Sequence, residues 1–80
     1  MPRTDLNGRT FGQRVKARRV ELELTQEDLI ALINDEGIEF SQPFLSQIEN
    51  DKFDPDKIGV AKAMALLFGL DVSLEDLFWG

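Results

Sequence analysis

The side chains best placed for specific chemistry lie between Gln42 and Asn50. At about 100° per residue, Gln42, Pro43, Ser46, Gln47 and Asn50 share one arc of a helix, while Phe44, Leu45 and Ile48 share the other. Amides and a hydroxyl with no carboxylate at the centre suit the base edges of a DNA major groove, where paired donors and acceptors distinguish the bases. Gln42 and Gln47 each offer a donor beside an acceptor, which matches adenine N6 and N7. Pro43 has no donor, so it could only touch a thymine methyl or stiffen the helix start. Ser46 reaches a base or nothing, and Asn50 suits the end of its helix as well as a contact. A solvated polar face fits the same wheel.

Other chemistries find little support. The chain has no cysteine and no histidine, which removes disulfides, thiolate nucleophiles and the usual zinc ligand sets. Glu27/Asp28 and Glu75/Asp76 are neighbours whose side chains point about 100° apart on a helix, so neither makes a convergent acid–base dyad. There is no glycine-rich phosphate loop. Neither an enzyme nor a cofactor is expected. No apolar run approaches the roughly 18 residues that span a bilayer and no signal core opens the chain, so a cytoplasmic, nucleoid-associated protein is expected.

Charge opposes the nucleic-acid reading until its distribution is considered. The net charge is −6 and the pI about 4.4. Yet residues 1–19 hold six of the nine basic side chains (Arg3, Arg9, Arg14, Lys16, Arg18, Arg19) against one acid, Asp5. The other 61 residues hold three basic and fourteen acidic ones. A chain split this way could present one cationic face, and affinity follows the local field.

The elements that must hold these residues are short helices. Residues 1–9 read as a flexible basic arm and 10–80 as one small domain. A first helix is predicted from Thr10 to Leu22, with Thr10 as N-cap, Gln13 completing a capping box, and Phe11, Val15 and Leu22 inside. Arg18 and Arg19 fall at or beside that stripe, and an arginine there needs a partner; Glu49, on the flank of the third helix's buried arc, is the acid expected for Arg19. Thr25 with Asp28 opens a second helix to Asn34, with Leu29, Ile30, Leu32 and Ile33 as its apolar stripe. Gly37 suits a left-handed C-cap, after which Ile38 and Phe40 can tuck onto the core. Ser41 and Pro43 open the third helix. Pro55 is expected to open a fourth, running to about Phe68 and burying Val60, Ala61, Met64, Leu67 and Phe68. Ser73 with Asp76 starts a last one bearing Leu74, Leu77, Phe78 and Trp79. No segment alternates with period two, so an all-α domain of five helices around one core is predicted.

The run Leu24-Thr25-Gln26-Glu27-Asp28-Leu29, then Ser41-Gln42-Pro43-Phe44-Leu45-Ser46-Gln47-Ile48-Glu49-Asn50, then Lys52, Pro55 and Phe68-Gly69-Leu70 resembles the lambda-repressor/Cro helix-turn-helix family, over about residues 10–78. The resemblance implies a compact five-helix DNA-binding domain whose third helix enters the major groove of double-stranded DNA, usually as a dimer on a near-palindromic site. Position by position, it places Gln42, Pro43, Ser46 and Gln47 at base-reading positions. It places Gln26 where a glutamine holds a phosphate and buttresses the reading helix, and Asn50 and Lys52 at backbone-contacting positions. Arg19 and Glu49 match a structural ion pair. Thr25, beside Gln26, and Arg14 complete the candidate phosphate contacts with Arg3 and Arg9, which could follow a groove as an arm does. A repressor is the role implied by analogy.

Departures from the family pattern have their own implications. The family usually has glycine where Glu23 and Asp51 stand, so both turns are expected to differ, and Asp51 sets an acid close to the expected phosphate track. The connection between the second and third helices is several residues longer than in compact phage repressors. A homodimer is expected, with Phe78 and Trp79, joined by Leu66 or Leu70, as its contact surface; the same side chains could instead close the monomer's own core. The rival reading is a protein-binding module whose acidic bulk holds a basic partner. A steep fall of DNA affinity with salt separates the two, because phosphate contacts release counterions.

Overall fold

A computed structural model describes residues 9–79, the last of them by its backbone alone. The arm through Gly8, with Arg3, lies outside the described residues, as do the Trp79 side chain and Gly80. Four α-helices and a closing π-helical segment make up the fold, and no strand occurs among the described residues. Nor is any helix there long and apolar enough to cross a membrane.

Each of the first three helices starts at a hydroxyl residue in extended conformation. For α1 (Phe11–Glu21), the Thr10 hydroxyl accepts from the Gln13 N–H while the Gln13 side chain accepts from the Thr10 N–H. For α2 (Gln26–Asp35), Thr25 and Asp28 make the same reciprocal pair at 3.0 and 2.9 Å. For α3 (Gln42–Glu49), Ser41 accepts from the Phe44 N–H, and Pro43 sits in the first turn where its missing N–H has no helical partner to lose. Satisfying these otherwise unpaired donors typically contributes about 1 kcal/mol per cap.

The Thr25 box has a consequence for acid stability. Hydrogen bonds from the Thr25 backbone and then its side chain hold the Asp28 carboxyl below the ordinary carboxylate value. A depressed folded-state pKa favours the fold only while the group is ionised, so this contribution is present above the ordinary carboxylate range and is lost as pH falls through the lowered value. Asp28→Asn should therefore melt below the parent at neutral pH, with the gap closing in strong acid. Melting temperatures of both chains across that range check this.

The core is formed by Val15, Leu29, Ile33, Phe40, Leu45, Ile48, Leu66, Leu70 and Leu77, all under 4 % exposed. α1 packs on α3 and on the closing segment Glu75–Trp79, and α2 on α3 and on the helix Val60–Leu70. The connection from α2 to α3 turns at Gly37 (φ 83°), then the Asn34 side chain accepts from the Phe40 N–H and draws Phe40 inside. Phe44 bridges Phe40 and Phe53 edge-on, at 5.0 and 4.8 Å between ring centroids. Leu32, expected inside, is 39 % exposed.

Two expectations about the fourth segment fail. Pro55 opens only a 3₁₀ turn, Pro55–Lys57; Gly59, at φ 84°, breaks the chain before α4 (Val60–Leu70) begins. α4 also faces the opposite way. Ala65, Leu66, Gly69 and Leu70 are buried, whereas Val60, Ala61, Met64 and Phe68 are exposed and Leu67 is half-buried. A segment with Lys62 as its one charged residue is apolar nearly all round, so its wheel cannot choose a side. Packing chooses: a Cβ on Gly69 would lie 2.7 Å from Leu29 Cδ1, so α2 and α4 approach closely there.

α5 (Glu75–Trp79) is wound as a π-helix, with the Ser73 hydroxyl accepting from the Asp76 N–H. Leu77 is buried, Phe78 lies 4.7 Å from Phe11 between ring centroids, and Leu74 is 47 % exposed.

Candidate functional site

Packing of Leu45 and Ile48 against the core fixes which side of α3 faces outward. Gln42, Pro43, Gln47 and Asn50 are exposed and Ser46 is half-buried. The five side chains picked out by the wheel thus lie on or beside the outer face, and no carboxylate interrupts them: Glu49, the one acid in the helix, is buried.

Behind this face runs a chain of polar contacts that begins inside the molecule. Arg19, 9 % exposed, donates from Nε to Glu49 Oε2 at 2.7 Å and from Nη2 to Oε1 at 3.0 Å, a bidentate pair. Its Nη1 donates to the Leu24 carbonyl. Glu49 Oε1 also accepts from Gln26 Nε2 at 3.1 Å, and Gln26 Oε1 accepts from Gln42 Nε2 at 2.8 Å. The direction of each donor fixes the next amide, so Gln42 presents a set orientation. Gln26 thus braces α3, as its place in the family resemblance implies; that Gln42 and Glu49 are the side chains it holds was not legible in the sequence, although a glutamine at the first position of each of two successive helices was its signal.

The remaining candidates divide. Thr25 and Lys52 are exposed, Thr25 at the head of α2 and Lys52 after α3. Asn50 Nδ2 donates to the Ser46 carbonyl and hydroxyl at 2.8 and 3.3 Å, so this amide closes its own helix. Arg9 is exposed. Arg14 is half-buried and its Nη1 donates to the Leu77 carbonyl at 3.2 Å, which ties it to α5. Leu66 and Leu70 require correction, because both are fully buried and can contact no second chain. Phe78 is half-buried against Phe11.

The cationic face is smaller than the sequence suggests. Arg18 is buried like Arg19: its Nε donates to the Leu70 carbonyl at 2.8 Å, Nη2 to the Asp71 carbonyl and Nη1 to Glu21. Two of the six basic residues near the N-terminus therefore serve the interior. Glu27, exposed, lines a cleft with Leu24, Thr25, Gln26 and Gln42, adding negative charge at the head of α2.

The turns after α1 and α3 keep a left-handed residue without glycine, since Glu23 and Asp51 both hold φ 60°. Asp51 has a partner that explains its presence. Its Oδ2 accepts from the Thr10 hydroxyl at 2.9 Å and its Oδ1 from the Gly12 N–H at 3.2 Å, so the carboxylate sits on the positive end of α1. This acid, expected beside a phosphate track, instead ties the head of α1 to the end of α3.

Among the described residues no group of acidic side chains converges as metal ligands. Comparison with protein-family models, with curated proteins and with solved structures finds no match for this chain.

Proposed function

We propose that the protein is a sequence-specific, double-stranded DNA-binding transcriptional regulator, a repressor by analogy with the family it resembles, acting as a homodimer with α3 in the major groove. The observation that carries this reading is the outer face of α3, where Gln42, Pro43 and Gln47 are exposed without an acid among them and Gln42 is oriented through Gln26. α2, its connection and α3 then serve as a helix-turn-helix of the lambda-repressor/Cro type. While one Gln42 amide proton serves Gln26, the oxygen and the second proton remain for an adenine edge. Thr25, Gln26 and Lys52, with Arg9, are the candidate contacts to phosphates.

A second reading, a protein-binding module with weak or no DNA binding, draws support from the acidic exterior and the reduced number of outward cations. Selection of binding sites from random duplex DNA at defined salt decides between them. The DNA reading expects an enriched motif with two-fold symmetry and half-sites about 34 Å apart along the helix. It also expects affinity to fall as salt rises. Absence of any enriched motif overturns it. In the same assay Gln42→Ala plus Gln47→Ala should flatten the preference, each lost bidentate contact being worth about 1–3 kcal/mol of discrimination. The melting temperature should shift by only a few degrees, because both side chains are exposed.

A further inference from the structure

Between the α2–α3 connection and α4 lies a groove with Ile38, Ala61, Met64 and Phe68 in its walls and Glu36 at its rim. Met64 and Phe68 are 62 and 58 % exposed and stand one turn apart. Scattered exposed apolar residues need no account, but several converging on one concave surface mark a contact site. The charge around this groove has one sign. Asp35 ends α2 and Glu36 caps it, with no basic residue in the last turn, although the carbonyl end of a helix favours cations. Glu39 adjoins Ile38 in the chain. All three acids are exposed, and no cation among the described residues pairs with any of them. Lys62, the one charged residue of α4, stands with Nζ 4.5 Å from the centroid of the Phe44 ring and does not line the groove. The ends of α4 do not reverse the sign. Asp54 and Asp56 outnumber Lys57 before it, and Asp71 after it lies 4.0 Å from Arg18.

We infer that this groove holds a cationic amphipathic helix of a partner protein. Its apolar side chains sit between Ile38 on one wall and Met64 and Phe68 on the other. Its lysines or arginines lie along Asp35, Glu36 and Glu39. Such recognition takes affinity from apolar anchors in a groove and register from complementary charge. Charge is what selects this occupant. An acidic helix, or a second copy of a chain with net charge −6, would bring like charges together at the same rim. A partner's cation also meets the carbonyl end of α2, which the chain itself leaves without one. Met64, unbranched and polarisable, adapts to anchors of differing shape. The inference gives the protein-binding reading a surface and a partner chemistry. The groove shares no residue with the outer face of α3, so it stands whether or not that face reads DNA.

Nuclear magnetic resonance of the ¹⁵N-labelled chain, without DNA, tests this with synthetic peptides. The probe is a helical peptide of about 16 residues with leucine on one face and lysine along its flanks. One control replaces every lysine by glutamate, and another shuffles the same residues so that no apolar face remains. The basic peptide should shift the amide signals of Ile38, Met64 and Phe68, with a Kd of about 10–100 μM. Both controls should bind at least about tenfold more weakly. Met64→Ser should weaken the basic peptide by about fivefold or more. Glu36→Lys should weaken it by about tenfold and narrow its advantage over the glutamate peptide. Both positions are exposed, so both variants should melt within a few degrees of wild type. The inference is overturned if the shuffled peptide binds as tightly, since diffuse attraction to an acidic protein then suffices. Shifts that avoid the groove, or no shift at about 1 mM peptide, overturn it as well. Shifts at Met64 and Phe68 that follow the concentration of the labelled chain alone overturn it in favour of a second copy.

Discussion

Gly12→Ala is expected to lower the stability of the fold by about 3 kcal/mol or more, at the upper end for overpacking a tight contact. A Cβ at this position would stand 2.1 Å from the Ile48 carbonyl oxygen and 2.6 Å from Asp51 Oδ1. The first of those atoms belongs to backbone and cannot swing away. Relief requires α1 to lift from the end of α3, which also pulls the Gly12 N–H from Asp51. An 80-residue domain holds roughly 4–12 kcal/mol at the usual 0.05–0.15 per residue, so the variant should melt some 12–24 °C lower. Thermal unfolding followed by circular dichroism reads this. Gly69→Ala is the contrasting case, since its nearest atom is the end of the Leu29 side chain, which can rotate. A Gly12→Ala melt close to wild type would show that α1 and α3 meet less tightly than described.

Arg19→Met should have an effect of similar size for a different reason. The Arg19 and Glu49 side chains are 11 and 3 % exposed, so removing the guanidinium leaves a carboxylate buried without its countercharge. Breaking a buried pair in this way costs about 3–5 kcal/mol, whereas replacing both partners by apolar groups is often neutral. The double variant Arg19→Met/Glu49→Leu should therefore recover most of the loss in urea titrations. If the proposed DNA reading holds, it should not recover the sequence preference, because Gln26 loses its Glu49 acceptor and Gln42 loses its fixed neighbour. Recovery of stability with loss of recognition is the signature of an ion pair that orients the outer amides. If the single variant is as stable as the parent, the pair contributes nothing and that account fails.

Much of this architecture was legible in the sequence because its starts are written locally. Thr10 with Gln13 and Thr25 with Asp28 each close within four residues, and Ser41 caps its helix on the spot, so no distant contact is needed to locate them. The Arg19–Glu49 pair could be argued because a cation beside an apolar stripe must find an acid. The facing of α4 could not be read. With apolar residues on every side, its orientation depends on where Gly69 admits Leu29, a contact forty residues apart in the chain. Nor did Pro55 reveal that Gly59 would end its turn, since a proline marks a beginning without fixing a length. The sequence places Arg18 at or beside the apolar stripe but cannot name its partners, because the carbonyls of Leu70 and Asp71 leave no trace in residue types. Asp51 looked out of place for the same reason, its acceptor role being set by the distant Thr10 and Gly12.

Burying Arg18 and Arg19 inside an acidic molecule shapes how the proposed regulator would search a genome. Random duplex attracts a protein through its phosphates, and sliding along DNA depends on that unspecific grip. With two cations turned inward and Glu27 at the head of α2, that grip would be slight. On the proposed function such a protein would sample sites by repeated encounters from solution, would be little sequestered by bulk chromosome, and would dwell where its two glutamines found matching edges.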